Sequence, residues 1–298
     1  MARPGRVACY APAGMATTAE APPYRAARRP GKIELVGDGF REIWSHRRLT
    51  RYLVRADLKK SGADTLLGNL WWILDPLLQM VVYVVLVTVI FKVNKEAYPL
   101  FVFSAILPWK WFSSSVNDGI MSVTSRERII KQVKFPKIVL PVAATVGGIA
   151  NFAFGLIPLM GLMLLFYREK ITWYLVLIPA IAAVQFVFSL ACAILVSGVN
   201  VFFRDIGNVA RHALRLWFYL SPALYAYHDV AGRLGGLVGK LMLLNPWTPL
   251  FESYRDVIYT GTMPNWLWLF LLLIGSTVFL GLAMLFFKRV EPSFAKVL

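Results

Sequence analysis

The stretch "ITWYLVLIPAIAAVQFVFSLACAILVSGVNVFF" (Ile171–Phe203) contains no Asp, Glu, Lys or Arg. A helix needs about 20 apolar residues to cross the roughly 30 Å of hydrocarbon in a bilayer, and this stretch exceeds that length. Two further uncharged stretches, Ile138–Tyr167 and Thr262–Phe287, exceed it as well. The sequence therefore predicts an all-α membrane protein instead of a water-soluble domain.

The composition of the whole chain agrees with this prediction. Of its residues 58% are hydrophobic and 16% are charged, and the mean hydropathy is +0.59. Three less uniform stretches complete a set of six predicted spans: Trp71–Phe91, Tyr98–Met121 and Leu216–Tyr227. The last of them is uncharged over a short length only. It can cross a bilayer if Arg211 and Arg215 lie at its cytoplasmic end and extend to the headgroups.

The basic residues determine the predicted orientation. Most Lys and Arg side chains lie before the first span, in the connections after the second and fourth spans, and after the last span. Because basic residues are enriched in cytoplasmic loops, both termini are predicted to be cytoplasmic. The net charge of +16 is divided among these segments and forms no single patch. This distribution favours anionic lipid headgroups over nucleic acid as the partner.

Ahead of the first span the chain divides into two predicted parts. Residues 1–35 are rich in Ala, Pro and Arg without the apolar core of a signal peptide, which predicts a disordered cytoplasmic tail. Residues 36–64 contain a predicted amphipathic helix at the membrane interface, in which Arg47, Arg51 and Arg55 recur every four residues. These arginines either anchor the helix to lipid or receive a phosphate-bearing substrate. Residues 65–298 form the predicted six-helix transmembrane domain.

The sequence shows no pattern typical of a catalytic or metal-binding site. Its three histidines stand at no ligand spacing with another His, Cys or acid, and its two cysteines form no metal spacing. The stretch "GGLVGKLM" departs from a phosphate-binding loop because Leu241 follows Lys240, where Ser or Thr is required. We therefore predict no catalytic residue, no metal and no cofactor in this chain.

A cationic segment, "SRERIIKQVKFPKIVLP" (Ser125–Pro141), separates the second and third spans. A helix here would carry an apolar face and a basic face, and Pro136 is expected to end it because a proline ring interrupts the hydrogen-bond ladder. One face suits the lipid surface and the other suits a groove on a cytoplasmic protein. The apolar residues are Ile129, Ile130 and Val133, and the basic ones are Arg128, Lys131 and Lys134.

Seven short motifs follow one another along the chain: "LLGNLWWILDPLLQM" (Leu66–Met80), "ILPWKWFSSSV" (Ile106–Val116), "KQVKFPKIVLP" (Lys131–Pro141), "FFRDIGNV" (Phe202–Val209), "FYLSPALY" (Phe218–Tyr225), "NPWTPL" (Asn245–Leu250) and "FKRVEPSFAKVL" (Phe287–Leu298). In this order they resemble the membrane subunits of ABC transporters that export polysaccharides or polyol phosphates, such as O-antigen, capsule and teichoic-acid exporters. The resemblance covers about Phe40–Leu298, which leaves only the leading tail outside it.

This resemblance implies a non-enzymatic permease subunit with six membrane helices and short re-entrant outer helices between the fifth and sixth. Within Asp229–Tyr259, Pro246 and Pro249 are expected to break those outer helices. The resemblance also implies a homodimer in the bacterial cytoplasmic membrane, with two copies of a separate ABC ATPase that holds ATP and magnesium. The implied substrate is a lipid-linked polysaccharide or a teichoic-acid-like polymer. Export of a drug or small lipophile by the same architecture is the alternative.

The resemblance also implies a docking site for the ATPase on the cytoplasmic helix within Met121–Lys137. Arg204, Asp205 and Ile206, in the next cytoplasmic connection, are expected to form a lesser second contact, for which a simple salt link between Arg204 and Asp205 is the structural alternative. The residues assigned to docking within the helix are Arg126, Arg128, Lys131, Lys134, Phe135 and Pro136.

Aromatic residues in the spans are candidates to line a sugar path, because flat rings pack on the C–H faces of sugars. The alternative is an aromatic belt at the membrane surfaces. Lys110 lies inside the second span, where a lipid-facing cation costs at least ~2.5 kcal/mol. It is therefore expected to attract a phosphate-bearing substrate in a polar cavity or to pair with Asp75 or Asp118. The aromatic candidates are Trp71, Trp72, Tyr83, Trp109, Trp111, Phe112, Trp217, Tyr219 and Tyr225.

Overall fold

The computed structural model describes residues 31–61, 66–92, 95–227, 239 and 242–298. Every regular element in these ranges is helical, which confirms the all-α prediction for the described chain. The helices are α1 (Lys32–Ser45), α2 (Arg47–Ser61), α3 (Trp71–Val84), α4 (Tyr98–Thr124), α5 (Glu127–Gln132), α6 (Val139–Phe166), α7 (Ile178–Phe202), α8 (Ile206–Leu220), α9 (Trp247–Arg255) and α10 (Trp266–Val290), and a last turn covers Phe294–Val297.

Among the described residues, four helical stretches are long and apolar enough to cross a membrane, and each overlaps a predicted span. They are Trp71–Ile90, Val139–Phe166, Trp173–Phe202 and Trp266–Ser293. The first reaches this length because a π-helical segment, Val85–Ile90, continues α3. Helix α4 has 27 residues, which is long enough to cross, but it carries Lys110 and Asp118 and is more polar than these four.

The fifth predicted span, Leu216–Tyr227, is wrong in its position. Helix α8 begins at Ile206 and ends at Leu220, and Ser221 has an extended backbone with φ −89° and ψ 152°. The residue before a proline is restricted to extended conformations, so Pro222 ends the helix in the middle of the uncharged run. With 15 residues, α8 is about 22 Å long and shorter than the hydrocarbon layer. The count of six crossings remains a prediction.

The predicted amphipathic helix consists of two helices that meet at His46. Helix α1 begins at Lys32, within the residues assigned to the tail, and α2 follows at once. The junction stays close to helical, because the carbonyl of His46 accepts a hydrogen bond from the N–H of Thr50 at 3.0 Å. The rest of the predicted tail, residues 1–30, lies outside the described residues.

Helix α4 packs against α6 and α7, and α7 packs against α10. These contacts depend on small residues: a Cβ on Gly119 of α4 would lie 2.9 Å from the Cβ of Ala193 in α7. In the part of the chain that the structure describes, the buried side chains form two clusters. The larger one surrounds Trp109 and Trp247, whose ring centroids are 4.8 Å apart. The smaller one, which we call the inner cluster, contains Phe287 and residues of α5, α6 and α7.

Helix α9 is buried: Trp247, Phe251 and Tyr254 have no exposed surface. It begins directly after Pro246 and contains Pro249 in its first turn. A proline in the first turn removes no intrahelical hydrogen bond, so the prediction that Pro249 breaks the helix is wrong. Residues 229–238 and 240–241 of the predicted re-entrant segment lie outside the described residues.

Candidate substrate path and docking surface

Four of the predicted path residues surround one cavity of about 170 Å³, which we call the tryptophan cavity. Trp71 and Trp72 of α3 and Lys110 and Trp111 of α4 lie in its wall. Asp75 also lines the tryptophan cavity. Asp75 lies one helical turn after Trp71 and therefore on the same face of α3. Aromatic rings and charged groups thus meet at the contact between α3 and α4.

Lys110 pairs with a carboxylate, which was one of the two roles expected for it from the sequence. Its Nζ donates a hydrogen bond to Oδ2 of Asp75. The Asp75 side chain is 64% exposed and the Lys110 side chain 29% exposed in the isolated chain. An acid so exposed on a membrane helix requires a polar environment, which the cavity provides.

Two buried polar atoms in the wall of the tryptophan cavity have no hydrogen-bond partner in the described chain: Nε1 of Trp111 and Oδ1 of Asn151. Buried polar atoms are normally paired, so these two are available to hydroxyl groups of a ligand or to water. The sequence reasoning did not select Asn151. Its amide in an otherwise apolar span was the only indication available from the sequence.

Tyr83 and Tyr219 lie on a second cavity, of about 360 Å³, between α3, α4 and α8. Their hydroxyl groups are 3.3 Å apart. Arg211 and Arg215 of α8 line the same cavity, and we call it the arginine cavity. Two aromatics predicted for the path therefore lie beside cations that had been placed at the cytoplasmic end of the fifth span.

The structure places the remaining aromatic candidates mainly in packing positions. Trp217 lies edge-on to Phe112 with 5.6 Å between ring centroids, and its indole N–H donates to Oδ1 of Asn245 at 3.0 Å. Trp109 is 5% exposed; it belongs to the larger cluster and also lines the arginine cavity. The hydroxyl of Tyr225 donates to the carbonyl of Leu220 at 3.3 Å.

Helix α5, in the predicted docking segment, is shorter than expected. It ends at Gln132, and Val133 is extended with φ −124° and ψ 132°. The prediction that Pro136 ends the helix is therefore wrong. Phe135 packs against the inner cluster and precedes a proline, which favours an extended Phe135, so the chain leaves the helix before reaching it.

The apolar residues of α5 do not share one face. Ile130 is 5% exposed and belongs to the inner cluster, whereas Ile129 and Val133 are 49% and 54% exposed. Neighbouring residues lie about 100° apart around a helix, so Ile130 points inward while Ile129 points outward. Val133, the first residue after the helix, is exposed as well. The predicted basic residues Arg128, Lys131 and Lys134 are exposed on the same segment.

Polar contacts hold both ends of this docking segment. At its start, Nη2 of Arg126 donates to both carboxylate oxygens of Asp57 in α2, at 2.7 and 2.8 Å. At its end, the backbone N–H of Lys137 donates to Oε1 of Glu291 at 2.7 Å. Lys288 of α10 then joins Glu291 at 2.8 Å to Glu42 of α1 at 2.7 Å.

The second predicted contact lies beside the first. Arg204 and Glu127 line one cavity of about 220 Å³. The pKa of the exposed Glu127 carboxyl is lowered, chiefly by its 2.6 Å hydrogen bond from Lys131 and further by the charges of Arg204 and Arg128. Within the described residues Arg204 and Asp205 form no ion pair, so the simple salt link is not observed.

Known proteins resemble this chain over most of its length. The chain is 34% identical over 256 residues to the O-antigen export system permease protein RfbA of Myxococcus xanthus. The aligned residues make up 86% of this chain and 97% of that protein. Two proteins of the same name from Klebsiella pneumoniae are 27% and 28% identical over 248 residues, covering 83% of this chain and 93% of each relative. No protein-family model matches the chain.

These relatives and the four long apolar helices agree on a multi-pass membrane protein. The identity to the Myxococcus xanthus protein extends over almost the whole of that permease, so it does not arise from one shared motif. The chain belongs to the family of O-antigen export system permease proteins.

Proposed function

We propose that the chain is the permease subunit of an ATP-driven ABC exporter that moves a lipid-linked polysaccharide outward across a bacterial cytoplasmic membrane. The observation that carries this proposal is the 34% identity over 97% of a permease whose own name specifies O-antigen export. The tryptophan cavity supports a sugar substrate over a small lipophile, because it combines aromatic rings with charged and amide groups.

The substrate path follows the polar face of α4. Lys110 and Ser114 face the tryptophan cavity, and Ser113 and Asn117 face the arginine cavity. The spacing of three to four residues keeps these side chains on neighbouring sides of one helix. Because this face leaves the Lys110–Asp75 pair exposed, a second copy of the chain opposite it would enclose a polar conduit. This requirement supports a homodimer.

A separate ATPase docks on α5 and supplies the bound ATP and magnesium. The exposed pair Ile129 and Val133 offers an apolar contact, and the surrounding basic side chains give it a charged rim, as is typical of protein interfaces. Arg204 lies within the same surface. The contacts among α1, α10 and the docking segment bring these basic elements to one end of the molecule, which supports cytoplasmic termini.

The test is deletion of the gene in its native host, followed by measurement of polysaccharide on the cell surface with a specific antibody or lectin. Surface polysaccharide should fall and the lipid-linked polymer should accumulate inside the cell. A plasmid copy of the chain should restore export. Unchanged surface polysaccharide in the deletion strain, with intracellular polymer at the wild-type level, would contradict the proposal.

A further inference from the structure

We propose that the arginine cavity is a binding site for a phosphate group carried on a lipid, held by Arg211 and Arg215 of α8. The diphosphate that links a polysaccharide to its lipid carrier is the ligand we assign to it. That assignment rests on the proposed function, whereas the capacity to bind phosphate rests on the cavity itself.

The described wall of this cavity favours an anion. It contains two guanidinium groups and no Asp or Glu. Gln79 and Asn117 add amide groups, and Tyr219 adds a hydroxyl group. Guanidinium groups bind phosphate oxygens in a two-pronged geometry, and neutral amide and hydroxyl donors complete such sites.

The state of each cation separates this cavity from the tryptophan cavity. Lys110 in the tryptophan cavity already has the Asp75 carboxylate as its partner. Arg215 has no hydrogen bond or ion pair to any described residue, and Arg211 is joined only to the neutral amide of Asn208. Of these two cavities, the arginine cavity is therefore the one with uncompensated positive charge.

The spacing of the two arginines strengthens the argument. Arg211 and Arg215 are one helical turn apart and lie on the same face of α8, where two like charges repel. A bound dianion would convert this repulsion into two attractive contacts. Tyr219 follows one turn later on that face, and its hydroxyl lies 3.3 Å from that of Tyr83. The cations thus lie beside a wall of aromatic rings that suits the first sugar.

The site also continues toward the docking segment. Arg211 lines a neighbouring cavity of about 490 Å³ together with Arg204 and Asn208. Asp118 lines this neighbouring cavity, but it forms no ion pair with Arg211. A phosphate approaching from the cytoplasmic side therefore meets Arg204 first and Arg211 and Arg215 next.

The test measures binding of farnesyl diphosphate, a short lipid diphosphate, to the purified full chain in detergent. Wild type should bind it and should not bind farnesol, which lacks the phosphates. Arg215→Gln should weaken binding roughly tenfold or more, because it removes a charged hydrogen-bonding group. Arg215→Lys should retain part of the affinity, and Arg289→Gln, at the exposed end of α10, should bind as wild type.

Competitors identify the source of the phosphate. Displacement by dioleoyl phosphatidylglycerol would assign the site to membrane headgroups, and displacement by inorganic pyrophosphate would assign it to free phosphate. Resistance to both would assign it to the lipid diphosphate. Wild-type affinity in a folded Arg211→Gln/Arg215→Gln variant, judged by size-exclusion chromatography, would overturn the site. Absence of polysaccharide export by the wild-type chain would overturn the proposed function and leave the binding result standing.

Discussion

Lys110 and Asp75 show how the cost of a charge in a membrane predicts a contact. The sequence required either an acid or a polar cavity for Lys110, and the structure supplies both. The other acid considered, Asp118, is eight residues along the same helix and therefore about 12 Å away, which is too far for an ion pair. The geometry of one helix already favours Asp75.

Replacement of Asp75 by Leu should destabilise the protein more than joint replacement of the pair. The single variant leaves Lys110 without a counter-ion, whereas Lys110→Met/Asp75→Leu removes both charges. For a pair this exposed the coupling should be about 1 kcal/mol. Thermal unfolding of the wild type, the two single variants and the double variant in detergent gives that coupling. Additive effects of the two single variants would contradict it.

Lys110→Met should also lower export of polysaccharide while leaving membrane insertion and assembly intact. The reason is that the ammonium group faces the proposed path. Surface polysaccharide and the amount of the permease–ATPase complex are measured in the same cells. Normal export in this variant would assign Lys110 a purely structural role with Asp75.

At the scale of the element, α5 shows why a short helix cannot be described from its apolar pattern alone. The sequence grouped Ile129, Ile130 and Val133, but only Ile130 is buried. One buried anchor leaves the other two outward, which is the arrangement needed to meet a partner. Arg126, whose docking role stays a prediction, holds the start of α5 to α2 through Asp57.

Ile129→Asp should reduce co-purification of the ATPase without lowering the melting temperature of the permease. Its side chain is exposed in the isolated chain, so a charge there disturbs the proposed interface and no core contact. Val297→Asp is the matched control, because Val297 is also an exposed β-branched residue but lies near the C-terminus. The ATPase should co-purify normally with this variant. Equal recovery of the ATPase with both variants would contradict docking on α5.

The contact between α4 and α6 offers a matched pair of glycines. A Cβ on Gly148 would lie 2.6 Å from Cδ1 of Trp111 and 2.7 Å from Oγ of Ser115, whereas a Cβ on Gly147 would meet nothing within 4 Å. Gly148→Ala should therefore cost about 1–3 kcal/mol through overpacking. Gly147→Ala should be neutral or stabilise by up to about 1 kcal/mol through helix propensity. Thermal unfolding in detergent compares them, and equal stability of both variants would contradict this packing.

At the scale of the whole molecule, uncharged length predicted three of the four long apolar helices, because a membrane span needs little more than length and apolarity. It failed for α8, where Pro222 decides the helix end. The sequence selected candidate site residues one at a time but did not group them into cavities. The sequence did not indicate that Trp71 and Lys110 share one cavity while Tyr83 and Tyr219 share another, because that separation depends on how α3 and α8 pack on α4.

The purified permease should be a dimer of its 33.6 kDa chain. A single copy leaves the polar face of α4 and the Lys110–Asp75 pair uncovered within the membrane. Native mass spectrometry after mild extraction gives the mass of the assembly. A monomer that remains active in export after reconstitution would contradict the proposed conduit between two copies.

Glu291 binds the backbone of Lys137 with one oxygen and Lys288 with the other, and Lys288 also holds Glu42 of α1. Under the proposed docking, a pull by the ATPase on the segment that ends at Lys137 is passed to α1 through this carboxylate, alongside the link from Arg126 to Asp57 of α2. Trp44, exposed on that helix, would then move against the inner leaflet with every hydrolytic stroke. The lipids next to the exporter would then be displaced at the rate at which the ATPase hydrolyses ATP.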